Sequence, residues 1–139
     1  MQEFDPTVIK REYPDSPVVG VGAVIIKDGK VLLVKRGKEP GYGRWSIPGG
    51  AVNLGERLAR AIEREVLEET GLIVEAGEVV EVYEPVVKDD KGGVRFHYVL
   101  IDFLCRYVSG EIKAASDILD AALAAPEELF KYDLPPAPA

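Results

Sequence analysis

The sequence predicts a single domain of the α/β class, in which strands lie on both sides of one central helix. The chain has 139 residues, a length that normally forms one domain with its own core. A β-branched run at 18–26, then a turn and a second apolar run, is typical of a β-hairpin. A stretch without Pro or Gly, from Glu56 to Thr70, carries apolar residues at helical spacing.

The hairpin is the first predicted element. Residues 18–26 are mostly Val, Ile, Ala and Gly, which suits a strand buried on both faces. Asp28-Gly29 tolerates positive φ and favours a tight turn. The partner strand is expected at Val31-Leu32-Leu33-Val34.

A loop and the central helix follow the hairpin. Residues 37–44 are rich in Gly, Pro and charge, so an exposed loop is expected there. Trp45-Ser46-Ile47 is predicted to be a short strand that ends in a turn at Pro48-Gly49-Gly50. The helix is predicted over residues 56–70, and Gly71 stands where a left-handed residue would end it.

Further strands are predicted after the helix. Two of them are expected at 73–84 and 94–107, joined by the polar turn 88–93. A third strand is expected near 111–113. A short helix with Pro at its first turn is expected at 126–130.

The predicted domain has a segment on either side of it. Residues 1–17 are polar and contain Pro, so we expect an irregular lead-in or an edge segment. The domain itself is expected to span residues 18–132. Residues 133–139 are mostly Pro and Ala and are expected to be a disordered tail.

Charge and composition limit the partners and the location. The formal net charge of -7 argues against general binding to nucleic acid, which needs a basic surface. No apolar run reaches the ~20 residues that cross a bilayer, so no membrane contact is expected. The start of the chain lacks a secretory signal, and Cys105 has no second cysteine to pair with, so we expect a cytoplasmic protein. An acidic protein would repel a phosphorylated substrate unless cations intervene.

Three acidic residues share one face of the predicted helix. Glu65, Glu68 and Glu69 are three and four residues apart, so their side chains are neighbours. Like charges at this spacing are unfavourable, but a hard divalent cation such as Mg²⁺ would hold such carboxylates together. The cluster by itself would more often be a solvated surface, so the helix does not decide between the two interpretations.

A longer pattern contains this cluster. Gly50 is followed after five residues by Glu56, and after seven more by Arg64-Glu65-Val66-Leu67-Glu68-Glu69-Thr70-Gly71-Leu72. This segment resembles the signature of the Nudix hydrolases, the MutT-like family, at nine defined positions over twenty-three residues. The hairpin and the Trp45 to Gly50 segment extend the likeness over most of the chain, with short ADP-ribose pyrophosphatase-type members as the nearest likeness.

The resemblance implies a fold and a metal site. It implies a mixed β-sheet sandwiched between α-helices, and Mg²⁺ as the cofactor, with Mn²⁺ as a possible substitute. The implied metal ligands are Glu65, Glu69, Glu68 (directly or through water) and the carbonyl of Gly49. The resemblance also implies that Glu56, Gly50 and Arg64 orient the loop and the ligands. A plain turn at Gly49-Gly50 and a surface pair of Arg64 with Glu68 are the alternatives.

The resemblance also implies the reaction, hydrolysis of a diphosphate by in-line attack of water. A carboxylate must accept the proton of that water, and in the family this is either a glutamate of the signature or an acid on a later loop. The implied catalytic residues are Glu65, Glu68 and Arg64, with an acid from the later loop. We favour Asp117 over Asp120 and Glu111 for that acid, although Asp117 could equally be an exposed loop residue or a helix N-cap.

Other side chains are weaker candidates for the site. Arg36, Lys38 and Arg44 surround the Gly-rich loop and could bind substrate phosphates, although a solvated loop is the simpler explanation. Trp45 is expected to pack under the metal loop rather than on a base. His97 is expected to be a half-buried strand residue, and Cys105 an unreactive core residue.

The signature leaves open the group attached to the diphosphate. Pro85 stands thirteen residues after Leu72, close to a Pro typical of enzymes that act on ADP-ribose. We therefore expect ADP-ribose, cleaved to AMP and ribose 5-phosphate, or another nucleotide sugar. The alternatives are a pyrophosphatase of oxidised or non-standard nucleoside triphosphates and a non-catalytic nucleotide-binding module. Many relatives are homodimers, so a homodimer with residues 1–17 at its interface is also possible.

Overall fold

The computed structural model describes residues 10–132 of the chain. Within that range the elements, in chain order, are β1 (Val18–Lys27), β2 (Lys30–Arg36), β3 (Trp45–Ser46), β4 (Gly49–Ala51), α1 (Leu58–Thr70), β5 (Ile73–Tyr83), β6 (Val86–Lys88), β7 (Val94–Ser109), β8 (Ile118–Ala124) and a 3₁₀-helix (Pro126–Tyr132).

The strands form one mixed sheet. Its main path runs β3-β2-β1-β7-β5, while β4 pairs with β1, β6 with β7 and β8 with β2. β1 and β7 are parallel, and the other pairs are antiparallel. The predicted α/β class with a mixed sheet is therefore confirmed.

The β1–β2 hairpin has the predicted turn. Asp28 and Gly29 have φ values of 54° and 74°, and Lys27 pairs with Lys30 across them. Positive φ at both central residues defines the two-residue turn whose twist matches that of paired strands. The local sequence therefore sets the register of the first two strands.

The two faces of the sheet have different roles. Side chains alternate between faces along a strand. On one face of β1 and β7, Val21, Ala23 and Phe103 pack with Ile62 and Val66 of α1 in the buried core. The opposite face carries Gly20, Gly22, Tyr98, Leu100 and Asp102, and these residues line a cleft.

The central helix ends as predicted. Gly71 has φ 77°, and its N–H donates to the carbonyl of Leu67. A left-handed residue at this position satisfies a carbonyl that the helix would leave unpaired. Two residues further on, Ile73 begins β5, so Gly71 also sets the direction in which the chain returns to the sheet.

One predicted strand is in the wrong place. No strand forms near 111–113, and the last strand is β8, Ile118–Ala124, paired with β2. The sequence of β8, Ile-Leu-Asp-Ala-Ala-Leu-Ala, is rich in residues with a preference for helix. Pairing along β2, from Leu123 opposite Leu32 to Ile118 opposite Arg36, forms the strand despite that preference.

Three smaller predictions are also refined. The turn expected at Pro48-Gly49-Gly50 is partly a strand, because Gly49 pairs with Gly22 of β1. The short helix expected at 126–130 is a 3₁₀-helix, so α1 is the one α-helix among residues 10–132. Residues 10–17 of the expected lead-in contain neither helix nor strand, whereas 1–9 and the expected tail at 133–139 lie outside the described residues.

Within residues 10–132, no helix is long and apolar enough to cross a membrane.

Candidate metal and substrate site

A cleft of about 450 Å³ lies at the junction of the sheet, the helix and the Gly-rich loop. β1 and β7 supply one wall, the loop after β2 supplies another, and β4 with α1 closes one end. Gly49 and three defined residues of the signature, Gly50, Glu65 and Glu69, line this cleft.

Arg64 joins the loop to the helix. Its Nε and Nη2 donate to the two carboxylate oxygens of Glu56, at 2.7 and 2.9 Å. Its Nη2 also donates to the carbonyl of Ala51 at 3.1 Å, and its Nη1 donates to Glu65 at 2.9 Å. The hydrogen bonds from Arg64 lower the pKa of Glu56 and, by the same contact, raise the pKa of Arg64. These contacts connect the segment 51–56 to α1 through Arg64, and the orienting roles of Glu56 and Arg64 stay a prediction.

The two glycines allow close approach to the helix. A Cβ on Gly50 would lie 2.4 Å from the carboxyl carbon of Glu65. The N–H of Gly49 donates to Oε1 of Glu69 at 2.9 Å. The Gly49-Gly50 pair therefore brings backbone groups directly against the two carboxylates, a packing that residues with side chains would prevent.

Glu65 and Glu69 are buried, and burial raises the pKa of both carboxyl groups. For Glu69 the pKa rises to about 7, because burial and the charge of Glu65 outweigh the N–H of Gly49. Two adjacent buried carboxylates are unfavourable without a cation. A divalent metal ion between them would remove that penalty, so this pair fits the donor set of Mg²⁺.

The complete ligand set is not formed by side chains alone. Among residues 10–132, no group of three or more His, Cys, Asp or Glu side chains is placed to hold a metal ion. Glu68 has a side chain 49% exposed, does not line the cleft and lies 3.3 Å from Nη1 of Arg64. A metal ion held by Glu65 and Glu69 would need backbone carbonyl or water oxygens as its other ligands.

The predicted phosphate-binding cations all line the cleft. Arg36 donates from Nε to the carbonyl of Pro40 at 2.6 Å, which holds the loop after β2 in place. Lys38 forms an ion pair with Asp117 at 2.7 Å, and Arg44 lies on the same side. Two more cations that line the cleft, Arg11 and Arg95, were missed, because neither lies near the signature in sequence.

Of the three acids considered as proton acceptors, the cleft contains only Asp117 within the described range 10–132. Lys38 donates to Asp117 and lowers the pKa of its carboxyl group. Asp120 lies on β8, where its Oδ1 accepts from the N–H of Ala121. Glu111 is exposed in the irregular segment before β8.

The remaining candidates lie in structural positions. Trp45 lines the cleft and packs edge-on against Tyr132, with ring centroids 5.0 Å apart. His97 is half-buried on β7 and pairs with Glu84, as expected for a strand residue. Cys105 is buried in the core, and burial raises the pKa of its thiol to about 11, which makes it unreactive.

One acidic residue of the cleft was missed altogether. Asp102 lies in the middle of β7 and is buried, and burial together with the charge of Glu81 raises its pKa to about 6. The signal was present in the sequence, since an Asp interrupts the apolar run Val99-Leu100-Ile101-Asp102-Phe103-Leu104-Cys105. A charged residue within a buried strand indicates a functional site more often than a fold requirement.

Comparison with known proteins identifies the class. A family model described as NUDIX domain matches residues 16–139, and the chain belongs to the Nudix family. The matched range includes the signature and the strands that form the cleft.

Individual relatives carry two different activities in their names. The chain is 39% identical over 105 residues to an ADP-ribose pyrophosphatase of Methanocaldococcus jannaschii, with 76% of this chain and 60% of that protein covered. It therefore spans less than two thirds of that relative. It is 32% identical over 123 residues to the nucleoside triphosphatase NudI of Escherichia coli, strain K12, with 80% and 84% covered. A solved NUDIX hydrolase from Nitrosomonas europaea superposes with a TM-score of 0.70 at 29% identity, covering 84% of this chain and 78% of that one.

Proposed function

We propose that this protein is a Mg²⁺-dependent hydrolase that cleaves the diphosphate of a nucleoside diphosphate linked to another group. The observation that carries the proposal is the pair of buried carboxylates, Glu65 and Glu69, packed against Gly49-Gly50 at one end of a cleft. The phosphates of such a substrate would need positive charge nearby. Arg36 at the end of β2 and the cations of the loop after it would supply that charge.

The proposed metal ligands are Glu65, Glu69 and the carbonyl of Gly49, with Glu68 acting through water because its half-exposed side chain does not line the cleft. Mn²⁺ is expected to substitute for Mg²⁺, since both prefer oxygen ligands. When bound, the metal neutralises phosphate charge and makes an attacking water more acidic. Arg64 keeps the carboxylate of Glu65 in place, while Glu56 fixes the guanidinium of Arg64 from the other side.

Asp117 is the proposed proton acceptor. It lies in the cleft, but Lys38 holds its carboxylate and lowers its pKa, which weakens it as a base. A substrate phosphate would compete for the ammonium of Lys38, because the phosphate carries more negative charge than one carboxylate. Lys38 would then bind the substrate together with Arg36 and Arg44, and Asp117 would regain its basicity.

ADP-ribose is the proposed substrate, with AMP and ribose 5-phosphate as products. The name of the Methanocaldococcus relative supports this choice, and Pro85 does line the cleft. The second candidate is hydrolysis of nucleoside triphosphates, including oxidised or non-standard ones, which the likeness to NudI supports. A non-catalytic binding module is disfavoured, because all the acidic residues of the signature are present.

We include a cytoplasmic location and a homodimer in the proposal. A single cysteine suits a reducing compartment, where disulfides do not form. Size-exclusion chromatography with light scattering would measure the oligomeric state directly.

A substrate panel with product analysis tests the proposed activity. The protein is incubated with Mg²⁺ and, in separate reactions, ADP-ribose, other nucleotide sugars and nucleoside triphosphates, and the products are separated by chromatography. AMP from ADP-ribose at the highest kcat/KM is the expected result. Release of pyrophosphate from a triphosphate without AMP from ADP-ribose would favour the second candidate, and no turnover of any substrate would contradict both.

A further inference from the structure

Asp102 is a buried carboxylate that has no partner in the described part of the chain. Its residue exposure is 6%, no hydrogen bond or ion pair to its carboxylate is described within residues 10–132, and the residue lines the cleft. Its neighbours across the sheet are Gly22 of β1 and Glu81 of β5, and neither can donate to it through a side chain. Burial of a carboxylate without a donor is unfavourable, so the fold retains Asp102 at a cost.

The strand beside Asp102 is shaped to accommodate this carboxylate. A Cβ on Gly22 would lie 2.4 Å from Oδ1 of Asp102 and 2.9 Å from Cδ1 of Ile47. Any residue other than glycine at this position would displace the carboxylate from the cleft wall. Gly22 therefore leaves Asp102 free to face a ligand.

The position of Asp102 relative to Gly49-Gly50 determines which part of a bound substrate can contact Asp102. Gly22 pairs with Gly49 on one side and with Asp102 on the other, so β1 is the one strand between β4, which carries Gly49, and β7, which carries Asp102. Strands lie about 4.8 Å apart, which places the backbone of Asp102 about 10 Å from that of Gly49, with the carboxylate next to Gly22 between them. A carboxylate that lies beside the proposed diphosphate site, rather than in it, is positioned for the nucleoside attached to the diphosphate.

The surroundings of Asp102 agree with a nucleoside and not with a phosphate. Tyr98 and Leu100 are on the same face of β7, and Tyr83 of β5 pairs with Leu100, so the adjacent wall is aromatic and apolar. Arg36 ends β2, and Lys38 and Arg44 lie in the loop after it, so the backbone of these cations is on the other side of β1 from β7. A second negative charge near Asp102 would be repelled, whereas a neutral N–H or O–H donor would satisfy it.

We propose that Asp102 determines substrate specificity by accepting a hydrogen bond from an N–H or O–H donor of the nucleoside, either an exocyclic amino group of the base or a ribose hydroxyl. This proposal rests on the proposed function, because it places the diphosphate at Gly49, Glu65 and Glu69. It gives Asp102 no part in binding the metal or in accepting the proton.

Binding of nucleoside monophosphates without metal tests the proposal independently of turnover. Titration calorimetry compares matched pairs that differ by one donor: AMP with purine riboside 5′-monophosphate (no 6-amino group), GMP with IMP (no 2-amino group), CMP with zebularine 5′-monophosphate (no 4-amino group), and the preferred nucleotide with its 2′-deoxy and 3′-deoxy forms. The wild type is expected to prefer the member with the donor in at least one pair, by roughly 10- to 100-fold, as for a hydrogen bond to a charged group. A preference in the base pairs assigns the amino group, and a preference in the sugar pairs assigns the hydroxyl.

Two variants connect that preference to Asp102. Asp102→Leu should abolish it while binding of the member that lacks the donor changes little, and Asp102→Asn, which keeps the shape of the side chain, should reduce it. The matched control is Asp90→Asn in the exposed turn before β7, which should keep the preference of the wild type. If Asp102→Leu does not fold, Asp102→Asn decides the test.

The proposal would be overturned by the absence of any preference in the wild type, by an unchanged preference in the Asp102 variants, or by an equal loss of binding for both members of a pair. The absence of nucleotide binding to the wild type would overturn it as well. Failure of ADP-ribose hydrolysis with the preference intact would reject the proposed activity but retain the role of Asp102.

Discussion

At the scale of single residues, Arg64 joins the segment 51–56 to the helix that carries Glu65. Its guanidinium contacts Glu56, Glu65 and the carbonyl of Ala51 at once, which requires a planar group with several donors in fixed directions. An ammonium group carries the same charge but cannot reach all three. Arg64 therefore positions Glu65, a proposed metal ligand. This role does not require Arg64 to contact the substrate.

Replacing Arg64 with Lys is expected to lower kcat/KM roughly 10- to 100-fold, the range typical of residues that orient metal ligands. The matched control is Arg60→Lys, because Arg60 pairs with Glu63 on the exposed side of the same helix. Steady-state kinetics and thermal melts of both variants measure the effect. Activity of Arg64→Lys equal to that of the control would show that the contacts of Arg64 are structural only.

Glu56 gives a pH-dependent prediction. Its pKa in the folded protein lies below its ordinary value of 4.5, because Arg64 and the N–H of Asn53 stabilise its charged form. This carboxylate therefore stabilises the fold fully above pH 4.5, and the contribution disappears as the pH falls through the lower folded pKa. The wild type should exceed Glu56→Gln in free energy of unfolding at pH 7, and the difference should shrink below pH 4.5. Urea titrations at several pH values measure this, and a difference independent of pH would contradict the assignment.

At the scale of elements, the end of α1 sets the start of β5. Gly71 is in the left-handed region, where residues with a Cβ are strained, and a Cβ there would also lie 3.2 Å from the carbonyl oxygen of Glu111. The helix α1, which carries Glu65 and Glu69, is thus joined to β5 by a glycine whose replacement would strain the backbone.

Gly71→Ala is expected to lower the free energy of unfolding by about 1 kcal/mol or more, as for a side chain placed in a left-handed cap. Gly71→Asn should cost less, because Asn adopts this conformation more readily. Urea unfolding of the two variants and the wild type gives the order directly. Equal stability of Ala and Asn variants would show that the cap conformation is not the cause.

The elements also show what the sequence can predict. The β1–β2 hairpin and α1 were predictable because Asp28-Gly29 and Gly71 determine the chain direction locally. β8 was misplaced because its Ala-rich sequence has no local preference for a strand, and pairing with β2 over a long sequence separation forms it. The residues of the candidate site also divide into those that the local sequence locates and those that only the pairing of strands brings to the cleft. The signature located Glu65, Glu69 and Arg64, whereas Asp102 becomes part of the cleft only through the pairing of β7 with β1.

At the scale of the whole molecule, an acidic chain carries a cleft with a strongly divided charge. The formal net charge is -7, yet five cations line the cleft, namely Arg11, Arg36, Lys38, Arg44 and Arg95. The two buried carboxylates of α1, Glu65 and Glu69, form the negative end of the cleft. Such a division of charge would suit a polyanionic substrate that binds with a metal ion, such as the proposed diphosphate.

Metal binding should stabilise the whole fold. A ligand that binds the native state alone raises the free energy of unfolding, by roughly 2.7 kcal/mol at a concentration of 100 Kd. Mg²⁺ is therefore expected to raise the Tm of the wild type and to leave that of Glu69→Gln nearly unchanged. Differential scanning calorimetry with Mg²⁺ and with EDTA makes the comparison. An equal Mg²⁺ shift in both proteins would place the stabilising ion elsewhere.

The most direct test of the proposed activity is hydrolysis of ADP-ribose by the wild type and by Glu69→Gln, each with Mg²⁺ and with EDTA. Glu78→Gln, an exposed substitution on β5, is the matched control. The wild type and the control are expected to release AMP and ribose 5-phosphate with Mg²⁺ but not with EDTA. A folded Glu69→Gln protein is expected to show no turnover in either condition. Near-normal, Mg²⁺-dependent release of AMP by Glu69→Gln would contradict this expectation.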